Sequence, residues 1–311
     1  MKIELLRAER LRGILFLIAS VSCFGLVDGL SKILIETQSF GQVVLARYVV
    51  AMLVLLCMTA PGKWKDLFQT KHASLQIIRG LTPVAVGGAM VFAVKYLPLA
   101  EATTILFATP FLVVAFSGWL LRERVSVSSW IGVAVGFLAV LIVARPGFSE
   151  LSLYTIFPAV AALFFAALQL LSRHLGSIGE PPETTLAWTL LVGTLVALPL
   201  SMVGWLPLSG AAWVLSFCLG AAFGAGQYFL AKAFALAPAN ILAPFTYFQI
   251  LAAVLFGLAV FQEIPDQWTI LGIALIVAAG VYVVGATRSQ RIDFNNVCSS
   301  FQHRIMAGER K

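Results

Sequence analysis

The sequence predicts an all-α integral membrane protein of ten transmembrane helices, arranged as two inverted five-helix repeats. Three observations predict it. Of 311 residues, 60% are apolar and only 11% are charged, with a mean hydropathy of +0.95, and a water-soluble fold cannot hide that much apolar surface. The apolar residues fall in runs of roughly 20, the length that carries a helix across about 30 Å of hydrocarbon. Finally, the chain resembles itself when displaced by about 140 positions.

The runs lie near 13–31, 42–60, 77–97, 99–121, 128–145, 153–172, 184–203, 211–231, 240–261 and 268–286. The breaks between them are short and carry turn or charge signals: Pro61-Gly62, Pro98, Arg122-Glu123-Arg124, Pro146-Gly147, Pro181-Pro182, Pro207, Pro238 and Pro265-Asp266. A lipid-facing barrel would alternate apolar and polar residues, and these runs do not. The third and fourth runs meet at Pro98 with almost no loop, but their combined length requires two helices.

Cations set the orientation, because Lys and Arg near helix ends are retained on the cytoplasmic side. One side collects Lys2, Arg7, Arg10, Arg12, Lys63, Lys65, Lys71, Arg79, Arg122, Arg124, Arg173, Lys232 and the tail residues from Arg288 to Lys311, whereas the other has Lys32, Lys95 and Arg145. Both termini are therefore expected in the cytoplasm, with residues 1–11 a cytoplasmic segment and 287–311 a cytoplasmic tail. The net charge of +7 follows from this topology; with no basic fold behind it, no nucleic-acid partner is expected. The segment KIELLRAERLR reads either as an amphipathic helix on the inner face or as a frayed cationic tail. Four cysteines, Cys23, Cys57, Cys218 and Cys298, show no paired spacing, and neither metal nor cofactor is expected.

The self-similarity is specific. Gly80 meets Gly220, Pro98 meets Pro238, Glu123 meets Glu263 and Gly132 meets Gly272 at an offset of 140, while Ser31-Lys32 meets Ser172-Arg173 at 141. Residues 12–147 and 152–286 thus form two units of five helices. Five crossings is an odd number, so the second unit must enter the membrane from the opposite side. Two such copies can exchange conformations and offer a central site to each side in turn, which suits secondary transport.

With these residues in hand, the sequence resembles the ten-helix EamA-type branch of the drug/metabolite transporter superfamily. The resemblance is carried by YLPLAEATTILFATP, Glu123 and the RPG at Arg145 in the first unit, and by AKAFALAPANILAPFTYFQIL and FQEIPD in the second. It implies a plasma-membrane carrier of small metabolites. Its cavity would lie between the repeats, lined by the third, fourth, eighth and ninth helices with help from the first and sixth.

Charges inside the spans are costly, each about 2.5–3.5 kcal/mol at a helix centre. Arg47 reads as a structural partner of Asp28 or as a substrate or gating contact, and Asp28 and Lys32, spaced i,i+4, offer an intrahelical pair instead. Their repeat mates are Gln169 and Arg173, so Asp28, Lys32, Gln169 and Arg173 are candidate gate residues. Around the solute we expect Thr103, Phe107 and Thr109 from the fourth span, Tyr247 and Gln249 from the ninth, and Gln227 and Tyr228 from the eighth, with Arg47. Phe107 and Tyr247 are repeat mates, as are Thr109 and Gln249. Gly224 and Gly226 are read as leaving open volume opposite Gly87 and Gly88, and Gly132, Ala134 and Gly136 as helix packing or a face for a homodimer. Glu123 and Glu263, at helix ends, are expected to anchor the following turn or to pair with Arg122 or Arg124 rather than to bind solute.

Catalysis is the competing class. The three histidines fall in loops or the tail, and no H-E-x-x-H, G-x-S-x-G or phosphate-binding loop is present. Within the family resemblance, the nearest subgroups are S-adenosylmethionine uptake carriers and riboflavin importers. In the former a carboxylate often stands where Gln249 stands here, so the amide, which can both donate and accept, points to a neutral aromatic heterocycle such as riboflavin.

Overall fold

A computed structural model describes residues 2–97, 99–144, 153–261 and 267–283. Among them every regular element is a helix. The first half contains α1 (Lys2–Leu34), α2 (Phe40–Met58), α3 (Ala73–Tyr96), the short α4 (Leu99–Leu106), α5 (Thr109–Leu120) and α6 (Val127–Ala144). The second contains α7 (Ile156–Ser177), α8 (Pro182–Ser201), α9 (Gly210–Leu236), α10 (Ala239–Leu242), a 3₁₀ turn over Ala243–Tyr247, α11 (Phe248–Phe261) and α12 (Gln267–Val283). The two halves thus repeat one order of elements. Among the described residues six helical stretches, one of them Ala102–Leu120 across α4 and α5, are long and apolar enough to cross a membrane, and three shorter apolar ones accompany them.

The packing is inside-out relative to a soluble protein. Leu15, Leu53, Met58, Trp119, Leu195 and Val281 point outward, while Gln76, Arg79, Gln169, Ser172, Thr189 and Gln227 are buried. Lipid supplies no hydrophobic drive between helices, so close backbone approach and polar contacts must hold them together. Glycine provides the approach, and mostly across the halves. A Cβ on Gly80 would strike Val192, one on Gly220 would strike Val50, one on Gly193 would enter the Tyr48 ring, and one on Gly226 would meet Phe24. Accordingly α1 packs mainly on α9, α2 on α8 and α9, and α3 on α7 and α8. The halves interdigitate instead of sitting side by side.

Several expectations change. The segment at 2–12 continues α1 as one helix of 33 residues, so it is helical and not frayed. The fourth span is not continuous: it breaks at Phe107–Ala108, because the ring of Pro110 excludes the helical N–H there and Ala108 becomes the start of a new helix. The ninth span breaks at the corresponding place, through the 3₁₀ turn around Pro244. Gly224 is filled by Ala51 and Gly226 by Phe24, so neither leaves open volume, whereas Gly87 and Gly88 have nothing within 4 Å of a built Cβ. Gly132 and Gly136 pack on Pro244, Val283 and the Tyr247 ring of the same chain, which decides for helix packing at those two residues.

Candidate functional site

The two helix breaks face each other. Phe107 ends the α4 segment and Tyr247 ends the 3₁₀ turn, and their rings lie 6.0 Å apart in a tilted pair, both buried. The Tyr247 hydroxyl has no hydrogen-bond partner. Just beyond, Gln249 at the start of α11 donates its amide to Asp28 of α1 at 3.1 Å, a contact that joins the two halves. Asp28 is exposed, as an interior carboxylate can be only where there is open space around it. Thr103 is half-buried on α4. On α3, Gly87 stands seven residues after Gly80, two turns along the same inward face, so the space it leaves lies inside the bundle.

Other expected residues lie elsewhere. Thr109 is consumed locally: its hydroxyl donates to Leu106 O at 2.6 Å, helping to start α5. Tyr228 donates to Glu183 at 2.8 Å, and Lys232 lies 4.9 Å over its ring, a group near the α8 start and α9 end. Gln227 accepts from Arg79 at 3.4 Å. The Lys32 side chain and Glu263 lie outside the described residues.

The expected charge pairs are rearranged. Arg47 donates to Ser31 Oγ at 2.6 Å, and Asp28 acts on it by charge without a direct ion pair. Glu123 pairs with neither Arg122 nor Arg124. The turn after α5 places Arg122 at φ 52°, which turns the chain back so that Glu123 meets Arg173 Nε at 2.7 Å while its second oxygen accepts from Ala239 N at 2.9 Å. Arg173 also donates to Phe234 O at 3.1 Å, so one carboxylate and one guanidinium tie α7 and the α9–α10 junction to the α5–α6 turn.

One residue was misplaced altogether. Arg79, counted among the cytoplasmic loop cations, is fully buried on α3. Its Nε donates to Ser172 Oγ at 2.8 Å, its Nη1 to Thr189 Oγ1 and its Nη2 to Gln227. The apolar run starts at Ile77 because Ser74 and Gln76 stand before it, whereas α3 begins at Ala73, so Arg79 lies nearly two turns into the helix. Helical phase carries the missing signal, since Gln76, Arg79, Gly80 and Gly87 share one face.

The pattern of the EamA-like transporter family matches residues 11–145 and again 153–285. The chain belongs to the EamA-like transporter family. Relatives of this EamA protein include a S-adenosylmethionine uptake transporter of Rickettsia prowazekii, 24% identical over 274 residues and covering 88% of this chain and 92% of that protein. A riboflavin transporter of Vibrio cholerae is 26% identical over 279 residues, covering 88% and 93%. The pseudopaline exporter CntI of Pseudomonas aeruginosa is 27% identical over 270 residues, covering 86% and 94%. A crystal structure at 19% identity shares the fold, with a TM-score of 0.73 over 92% of this chain and 98% of the other. These relatives are transporters by name, and this EamA protein is a multi-pass membrane transporter of small solutes, not an enzyme.

Proposed function

We propose that this protein is a secondary carrier that takes up a small organic solute across the bacterial inner membrane by alternating access, with both termini in the cytoplasm. The observation that carries this reading is the pair of breaks at repeat-equivalent positions, Phe107 and Tyr247, beside the interhalf contact of Gln249 with Asp28. Broken helices in corresponding places of inverted repeats are where such carriers hold their cargo.

The solute is riboflavin or a similar neutral aromatic heterocycle. Supporting this are the flat apolar walls at Phe107 and Tyr247, the neutral amide of Gln249 and the likeness to a riboflavin transporter. A second reading, S-adenosylmethionine, is favoured by the Asp28 carboxylate, which puts negative charge beside Gln249 where a sulfonium would need it, and by the likeness to an uptake transporter for that compound. Arg173 with Glu123 forms one gate, and Asp28 stands at the other.

Competitive uptake of labelled riboflavin, S-adenosylmethionine and an amino-acid panel, in cells lacking their own importers, tests the assignment. Riboflavin should enter and compete best. Uptake of S-adenosylmethionine alone would select the second reading, and efflux without uptake would reverse the direction.

A further inference from the structure

Each half of the molecule contains the same small socket. On α1, Ser31 donates its hydroxyl to Val27 O at 2.5 Å, and on α7 its repeat mate Ser172 donates to Leu168 O at 2.5 Å. A serine turned back on its own helix in this way leaves its lone pairs free to accept from outside. Both accept from a guanidinium: Ser31 from Arg47 at 2.6 Å, Ser172 from Arg79 at 2.8 Å. The arginines come from α2 and α3, both in the first half, so the back-bonded serine is the shared feature and the socket on α7 takes its cation from across the interface between the halves.

The two sockets differ in one respect. One turn before Ser31 stands Asp28, the carboxylate whose charge acts on Arg47. One turn before Ser172, at the repeat-equivalent place, stands Gln169. Arg79 is completely buried, its acceptors are three neutral side chains, and no carboxylate lies within ion-pair distance of it among the described residues. Gln169 is equally buried, and neither its amide nitrogen nor its amide oxygen has a hydrogen-bond partner. A buried cation without a counter-charge is costly in a membrane interior, and so is an amide with no bonds made. The socket of the second half has every part of the first except its negative charge.

We propose that this negative charge is supplied by the transported solute: Arg79, with Gln227 bonded to it and the unpartnered Gln169 one turn before its acceptor Ser172, is a binding station for a carboxylate or phosphate group. The guanidinium offers the paired donors that planar anions match, and the Gln169 amide adds a further N–H. In the conformation described, the nearby end is closed by Glu123 and Arg173, and the station waits on neutral acceptors. This inference rests on the reading of the protein as a solute carrier, but not on which solute it carries.

Paired compounds that differ only in the anion test it. S-adenosylmethionine is set against its decarboxylated form, and riboflavin against riboflavin 5′-phosphate, with thermal unfolding of the purified protein in detergent as the readout. The member of at least one pair that bears the carboxylate or phosphate should stabilise the protein more than the member that lacks it, and carboxylate or phosphate is distinguished by which pair responds. Arg79→Gln should weaken that binding about 10- to 100-fold. Gln169→Glu places a fixed carboxylate in the empty position, so it should raise the melting temperature of the free protein and abolish the anion's effect while leaving Arg79 intact; it decides the question even if Arg79→Gln fails to fold. Equal response to both members of each pair, response to neither, or an anion effect that survives Gln169→Glu would overturn the proposal. Riboflavin uptake with no anion preference would sink this inference and leave the flavin reading standing, whereas anion binding through Arg79 without riboflavin uptake would do the reverse.

Discussion

A carboxylate that bonds in two directions is worth more than the ion pair it belongs to. Glu123 holds Arg173 with one oxygen and the Ala239 amide with the other, and the two side chains are only 10% and 20% exposed. Glu123→Ala strands a guanidinium and a backbone N–H together, so we expect a loss of about 2–3 kcal/mol in unfolding stability. Glu123→Gln keeps an acceptor for Ala239 and should cost less, which parallel melting measurements of the two variants would show. Tyr247 gives the opposite expectation. Its hydroxyl is buried and unpartnered, so Tyr247→Phe should leave the melting temperature unchanged or raise it. A fall in uptake without a fall in stability would place that hydroxyl on the solute in another conformation.

Helices meet here through missing side chains, and the glycines fall into two kinds. At Gly220 a Cβ would lie 2.8 Å from Ala46 O and overlap Val50, so Gly220→Ala must push α2 and α9 apart, at about 1–3 kcal/mol. At Gly87 a Cβ meets nothing within 4 Å. Gly87→Ala should therefore hold or increase stability, since alanine favours the helix by about 1 kcal/mol, and should reduce uptake by filling the cavity wall. The two substitutions are chemically identical and are expected to separate folding from transport, which parallel melting and uptake measurements can establish. The helix breaks at Phe107 and at Ala243–Tyr247 belong to this scale as well, because proline near each one removes a backbone donor and leaves carbonyls that neighbouring helices must accommodate.

Across the whole molecule, the halves are locked into one another, so neither is expected to fold as a free-standing bundle. Cys23 on α1 and Gly226 on α9 offer a direct measure: a Cβ built on Gly226 lies 3.2 Å from the Cys23 Cβ, slightly tighter than a disulfide, and 2.8 Å from the Phe24 ring, so a bond forms once Phe24 gives way. In Gly226→Cys, oxidation should join the halves, so that cleavage between them leaves one band on a non-reducing gel, and should stop uptake if α1 and α9 move against each other during transport. Reporter fusions at the two ends should report the same compartment; opposite compartments would undo the inverted arrangement.

Apolar run length and the displaced self-match are enough for the membrane class and the helical content, because those properties depend on composition and spacing that every helix carries within itself, while the family is legible in the two repeat motifs around Phe107 and Tyr247. The Phe107–Tyr247 facing pair was legible for the same reason, as repeat mates at one offset. Hydropathy alone does not distinguish a loop arginine from a buried one, and only helical phase, with α3 starting at Ala73 and Ser172 and Thr189 against it, places Arg79 inside the bundle. The partners of Glu123 and Asp28 are likewise decided by the interlocking of the two halves, and that of Arg47 by the packing of α2 on α1, because a hydropathy pattern contains no information about which face of one helix meets which face of another.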